Sequence, residues 1–215
     1  MLAQFANRPN RYDTRRCIIA SAIRLYSRIG HKKTNVADIA HELSMSPANI
    51  YRFFDSKRAI EAAVLEELLN ERLIAIIEAD RSRGSAIQRL RAVLEVIGRT
   101  YAFRSTNEQR LRALVAEATR ENWSVTEVYF YRRLDIIRSL IAAGQACGEF
   151  LPGDAMTLSR CILTAMDGHL SLALISACAA RPSSGEMIDF YINAVREAPG
   201  FRRATETHMQ IRPPN

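Results

Sequence analysis

Residues 35–54 restrict the fold of this chain more than any other stretch, because they contain two short helical patterns separated by a break. In the first pattern Asn35 is a candidate N-cap, and Asp38 follows three residues later, a combination typical of a helix start. The pattern then ends at Ser44-Met45-Ser46. Apolar side chains recur at helical spacing and predict one buried face: Val36, Ile39, Ala40 and Leu43.

The second pattern begins with Ser46-Pro47, a capping hydroxyl followed by proline at the first helical position. Ile50 and Phe54 share the side that is predicted to pack inward. Helix, short turn and helix in this order predict a helix-turn-helix, whose second helix enters the DNA major groove. Asn and Arg suit the hydrogen-bonding groups of base edges. The outward positions of this helix are Ala48, Asn49 and Arg52.

Positive charge is concentrated in the same part of the chain. Residues 1–58 hold 11 Lys and Arg against 4 Asp and Glu, a net charge of +7, whereas the other 157 residues hold 19 of each kind. A basic patch confined to the helix-turn-helix segment is the pattern expected for phosphate contacts. A merely solvated basic surface is the alternative, but it does not account for a body without net charge. Residues 7–11 form a basic arm whose role stays open.

Composition excludes several classes of protein. A hydrophobic content of 48% argues against disorder. The sequence has no apolar run of about 18 residues and no apolar leader near its start, so we expect a cytoplasmic protein without membrane contact. Four cysteines, at positions 17, 147, 161 and 178, have no Cys-x-x-Cys spacing, and we interpret them as buried thiols in preference to the alternative of a redox pair.

The segment from Ile18 to Ile60 resembles the DNA-binding head of the TetR family of transcriptional regulators. The similarity rests on an Ile-rich start, Gly30 before a short loop, and the motif residues Val36, Ile39, Ala40, Ser46, Tyr51, Phe54 and Lys57. It implies that Pro47, Ala48, Asn49 and Arg52 face the bases or the groove wall. It further implies phosphate contacts for Tyr51 and Lys57, and a place near the DNA backbone for Thr34.

The predicted DNA-contacting set is therefore Thr34, Ser46, Pro47, Ala48, Asn49, Tyr51, Arg52 and Lys57. Phe53 stands where members of the family often have His or Tyr. A phenyl ring donates no hydrogen bond, so core packing and a groove contact both stay open for Phe53.

The rest of the chain is predicted to be helical, which makes the fold all-α with about nine helices. An uninterrupted pattern from Lys57 to about Asp80 predicts a long fourth helix that joins a three-helix head, residues 1–58, to a body, residues 59–201. Residues 202–215 are predicted to be a disordered tail. Breaker residues around Gly144, Gly148-Glu149-Phe150 and Gly153-Asp154 resemble the ligand domains of the same family.

The resemblance implies a small-molecule effector in the body and a dimer formed by the last two helices. Residues at this spacing are more often ordinary core than ligand contacts, and the candidates for the effector pocket are Tyr101, Phe103, Trp123, Phe130, Cys161 and His169. Excess apolar helix surface independently favours a symmetric homodimer. The predicted interface residues are Leu163, Leu170, Leu174, Ile188, Tyr191, Ile192 and Val195.

The leading hypothesis is a dimeric repressor that binds a palindromic operator in double-stranded DNA and is released by an effector of unknown class. An enzyme with a helix-turn-helix head is the main alternative. The four histidines have no metal-binding spacing, and neither a glycine-rich phosphate loop nor a G-x-S-x-G elbow occurs. We therefore expect no catalytic residue, no metal and no cofactor. A third alternative, an interaction module without effector, predicts a body without a cavity.

Overall fold

The computed structural model describes residues 11–99, 106–170 and 182–196. Within these ranges the chain forms nine α-helices and no strand, so the predicted all-α fold is confirmed. The head contains α1 (Arg11–Ile29), α2 (Val36–Glu42) and α3 (Pro47–Tyr51), and the connecting helix is α4 (Lys57–Asp80). The body contains α5 (Ala86–Arg99), α6 (Thr106–Arg120), α7 (Ser124–Ala146), α8 (Ala155–Leu170) and α9 (Ser184–Val195).

The start of each helix of the helix-turn-helix is fixed by local hydrogen bonds. The Asn35 side chain accepts from the Asp38 backbone N–H, and the Asp38 carboxylate accepts from the Asn35 N–H, both at 2.8 Å. These reciprocal bonds satisfy two donors that a helix start leaves open. Ser46 caps α3 by accepting from the Asn49 N–H at 3.2 Å. Ser44 adopts a left-handed conformation, φ 53°, in the turn between the helices. The predicted start signals are confirmed.

The core of the head continues past the predicted boundary at residue 58. Side chains of α1, α2 and α3 pack with the first turns of α4, which are buried at Ile60, Val64 and Leu65. Helix α6 closes the same core with Leu114 and Ala118. One hydrophobic cluster therefore contains parts of both the predicted head and the predicted body. This shared packing makes α4 and α6 the two elements that link them.

A second core lies in the body, between the far end of α4 and helices α5, α7, α8 and α9. The loop from Cys147 to Asp154 belongs to it, because the ring of Phe150 packs directly on the backbone of Gly144. In the same loop, the Glu149 carboxylate accepts from the backbone N–H groups of Ala86 and Ile87, each at 3.1 Å. Glu149 thus caps α5 from a distant part of the chain.

The interpretation of the cysteines needs correction where the structure describes them. Cys17, Cys147 and Cys161 are exposed, so their interpretation as buried thiols is wrong; Cys147 follows the last turn of α7, and Cys178 is not among the described residues. Trp123 is the N-cap residue of α7. Across the described ranges, every helix is either too short or too polar to span a membrane.

Candidate nucleic-acid interface

Helix α3 is held on the head by one side and open to solvent on the other. Ile50 and Phe54 anchor it in the head core, where both are buried. On the opposite side Ala48 and Arg52 are exposed, and 49% of the Tyr51 side chain is accessible. The outward face therefore presents a small residue, a phenol and a guanidinium, as the sequence pattern indicates.

Arg52 differs from Arg24 and Arg58 of the head in having no partner among the described residues. Arg24 pairs with Glu42 at 2.7 Å, and Arg58 lies 3.4 Å from Glu121. Among the described residues, nothing accepts a hydrogen bond from the Arg52 guanidinium. Five N–H donors in a planar fork are thus directed to solvent from the C-terminal end of α3. Asn49 is half-buried one turn earlier and presents its amide on the same helix.

Thr34 and Lys57, two of the residues predicted to lie near the DNA backbone, make hydrogen bonds within the head. The Thr34 side chain is buried, and its hydroxyl donates to the carbonyl oxygen of Gly30 at 2.9 Å. The Lys57 ammonium donates to the carbonyl oxygen of His31 at 2.7 Å and lies 3.5 Å from the Glu61 carboxylate. Since an ammonium has three donors, one remains for a phosphate. Ser46 and Pro47 are exposed at the start of α3.

Phe53 is half-buried and packs against the head core, next to the buried Phe54.

Lys33, which is not among the DNA-contacting residues predicted from the sequence, is exposed in the loop before α2 and has no ion-pair partner in the described ranges. Its neighbour Lys32 instead pairs with Glu117 of α6 at 2.9 Å. The sequence shows two adjacent lysines and no local signal that separates their roles.

The loop after α1 also connects the head to the body. The buried ring of His31 lies with its Nε2 3.2 Å from the Glu117 carboxylate, which Lys32 reaches as well. Hydrogen bonds from Lys32 and His31 hold the pKa of Glu117 below its usual value. Glu121, directly after the end of α6, lies beside Arg58. Two carboxylates at the C-terminal end of α6 therefore meet basic groups of the head.

The candidate pocket residues that the structure describes lie in different parts of the molecule. Trp123 belongs to the head core: its indole N–H donates to Glu121 at 3.0 Å, and the Arg58 guanidinium lies 4.3 Å above its ring. Phe130 packs on the body core instead. Cys161 is exposed and His169 is half-buried. Tyr101 and Phe103 lie outside the described residues.

Most of the candidate dimer residues are already covered by their own chain. The body core contains Leu163, Ile188, Tyr191, Ile192 and Val195, each at most 3% exposed. The apolar face of the last helix packs on α5 within the chain, and a dimer interface at these residues stays a prediction. Leu174 is outside the described residues, and the Leu170 side chain is not described. On α9, the large exposed apolar side chain is Phe190.

Comparison with known proteins decides the family. A model of bacterial regulatory proteins of the tetR family matches residues 18–64, which include the whole helix-turn-helix. A model of the tetracyclin repressor-like C-terminal domain matches residues 86–189. The chain belongs to the TetR family of transcriptional regulators. As in that family, an N-terminal DNA-binding domain is followed by a C-terminal ligand-binding domain. No curated protein matches the sequence.

Solved structures with the same fold are distant in sequence. A transcriptional regulator from Saccharomonospora viridis in complex with choline is 22% identical, with 87% of this chain and 100% of that chain covered and a TM-score of 0.68. The fatty acid degradation regulator FadR from Bacillus halodurans is 16% identical over 88% and 97% of the two chains, with a TM-score of 0.63. A tetR-family regulatory protein from Rhodococcus RHA1 is 19% identical over 86% and 97%, with a TM-score of 0.59.

Proposed function

We propose that this TetR-family regulator is a dimeric repressor that binds a palindromic operator through α3 and leaves it when a small molecule binds in the body. The observation that carries the proposal is the outward face of α3, where the guanidinium of Arg52 is exposed and has no partner in the described part of the chain. A bidentate arginine is the side chain best suited to the major-groove edge of guanine.

The other candidates divide by the chemistry that they offer to DNA. Asn49 can bind adenine through its amide, and Pro47 and Ala48 are small enough to let α3 approach the groove closely. Ser46, Tyr51 and the remaining donor of Lys57 are proposed to bind phosphate. Contact at Thr34 is limited to its backbone, because its hydroxyl is bonded to Gly30. The exposed Lys33 is proposed as a further phosphate contact.

Helix α4 is the proposed lever between effector and operator. It has 24 residues and is therefore about 36 Å long. One end carries Lys57 and Arg58 in the head, and the other packs on α5 and α7 in the body. An effector that binds one arrangement of these helices better than another shifts the populations accordingly. The choline bound to the S. viridis regulator supports a small-molecule site in a fold of this kind.

The proposal is tested by a salt series of binding between the purified protein and the DNA next to its own gene, with unrelated DNA of equal length as the control. We expect tight binding to a palindrome whose half-sites are about one helical turn or slightly more apart. The logarithm of affinity should fall linearly with the logarithm of salt concentration. Binding that is equally weak on all DNA contradicts an operator at that locus, and a bound monomer contradicts the dimer.

A further inference from the structure

Arg133 is a buried arginine in the middle of α7, with only 4% of its side chain exposed. Its Nη1 and Nη2 groups donate to the two oxygens of Asp167 on α8, both at 2.9 Å. The ring centre of Tyr129 lies 4.6 Å from the guanidinium carbon, and that of Phe130 lies 6.0 Å away. These residues form a carboxylate-binding fork between half-buried aromatic side chains, with the guanidinium of Arg133 as its buried part.

The packing of α7 on α8 does not require the ion pair between Arg133 and Asp167. Around it, α7 and α8 are held together by apolar residues of the body core, among them Ile137, Leu163 and Met166. A buried ion pair adds little net stability over apolar side chains of the same volume, because desolvation offsets the attraction. The bidentate geometry of Arg133 is instead the arrangement that proteins use to recognise a carboxylate specifically.

A second arginine adds positive charge to the same place. Burial raises the pKa of the Tyr129 hydroxyl, and the nearby charges of Arg133 and Arg72 oppose that rise, while Asp167 reinforces it. Arg72 belongs to α4, so the surroundings of Tyr129 include the helix that runs to the head. Three helices, α4, α7 and α8, thus contribute charged groups to one partly buried cluster, in which Arg133 is the buried member.

We infer that Arg133 anchors the effector, and that the effector is an organic carboxylate which replaces Asp167 on the guanidinium. The inference rests on the effector-controlled repressor proposed above. The exchange conserves the bidentate pair, so no buried charge is left without a partner. Asp167, at 28% exposure, can turn toward water, whereas a cationic ligand would have to expel the more deeply buried Arg133. The Phe130 ring beside the guanidinium and Leu163, one turn before Asp167 on α8, are apolar, so an apolar chain suits the rest of the ligand.

The first test is the thermal unfolding of the full chain without DNA in the presence of hexanoate, octanoate or decanoate. The corresponding amides and octyltrimethylammonium serve as neutral and cationic probes. We expect the carboxylates to raise the Tm, with no comparable rise from the other two classes. Arg133→Met should abolish the effect. Arg138→Met is the matched control, since Arg138 lies on the same helix but pairs with Asp135 on the surface.

Asp167→Asn tests the exchange itself, because it removes the internal competitor and keeps the volume of the side chain. Octanoate should bind this variant about tenfold tighter than the wild type. Should Asp167→Asn fail to fold, Arg133→Lys provides the second measurement: it keeps the charge, loses the fork, and should bind octanoate about tenfold more weakly. The inference is overturned if no carboxylate stabilises the wild type, if Arg133→Met leaves the rise intact, or if the ammonium probe gives the larger rise.

Operator release is measured separately, by fluorescence anisotropy of labelled operator DNA. Carboxylate binding that depends on Arg133 but leaves operator affinity unchanged supports the anchor and contradicts release by an effector. If another compound releases the operator equally well from the wild type and from Arg133→Met, the effector-controlled repressor is supported. The role of Arg133 as the anchor of the effector is then overturned. The two proposals therefore fail in different measurements.

Discussion

At the scale of single residues, Asn49 and Arg52 should account for base preference. Each truncation to Ala removes hydrogen bonds to one base pair, so it should weaken the cognate operator by about 1–3 kcal/mol and relax preference at that position. Lys33→Ala is the control for a phosphate contact: it should weaken all DNA alike and lower the salt slope by about one. Anisotropy titrations over a set of single-base operator variants separate the two kinds of contact. A uniform loss for Arg52→Ala would reassign Arg52 to the backbone.

Gly144 should be intolerant of any side chain. A Cβ at this position would lie 2.1 Å from Cδ2 of Phe150, and the ring cannot yield without leaving the body core. We expect Gly144→Ala to lower the free energy of unfolding by about 1–3 kcal/mol. Gly168→Ala in α8 is the matched control, because its Cβ would meet nothing within 4 Å and alanine favours a helix. Urea denaturation compares the variants, and equal stabilities would contradict the close contact.

The sequence predicts which residues of α3 point outward, but not which of them are free to bind DNA. Arg52 and Arg58 look alike in the pattern, since both follow a capped helix start in a basic segment. They differ because Glu121, 63 residues beyond Arg58, reaches only the second of them. Such a pair depends on how α6 meets the head, which no local spacing encodes.

At the scale of elements, the helix starts were predictable because their causes are local. Asn35 with Asp38, and Ser46 with Pro47, satisfy open backbone donors within one turn. The element that covers the apolar face of a helix is not determined by local sequence. Periodicity indicates that one side of α9 is buried, yet it does not distinguish burial by α5 from burial by a second copy. Ile188 and Ile192 illustrate this ambiguity, because their spacing predicts a dimer interface and a contact with α5 equally well.

The cap that Glu149 places on α5 should make stability depend on pH. Hydrogen bonds from the Ala86 and Ile87 backbone lower the pKa of Glu149 in the folded state. The ionised Glu149 carboxylate therefore stabilises the folded state fully above its pKa in the unfolded chain, about 4.3. This stabilisation is lost as the pH falls through the lower pKa of the folded state. Glu149→Gln should lower the Tm at neutral pH, and the difference from wild type should shrink below about pH 4. Thermal melts across this range measure it; a constant difference would show that charge plays no part.

At the scale of the whole molecule, the two cores do not coincide with the division of the sequence into head and body. Charge and motif place the boundary at residue 58, whereas Leu114 and Ala118 of α6 complete the core of the head. A motif is recognised within one segment, but a core is assembled from segments far apart in the chain. The body therefore touches the head through α4 and α6 together, and a change in the body has two routes to α3.

The dimer should depend on the solvent side of α9, because its other side is occupied by α5. Phe190 is 64% exposed there, and a carboxylate in its place would be buried without a partner in a symmetric interface. We expect Phe190→Glu to weaken the dimer by about 2 kcal/mol or more and to lower operator affinity, since a monomer contacts one half-site. Sedimentation equilibrium over a range of protein concentrations measures the first effect, and anisotropy the second. Ile74→Glu is the matched control, an apolar side chain 56% exposed on α4. A Phe190→Glu dimer as stable as that control would place the interface on another surface.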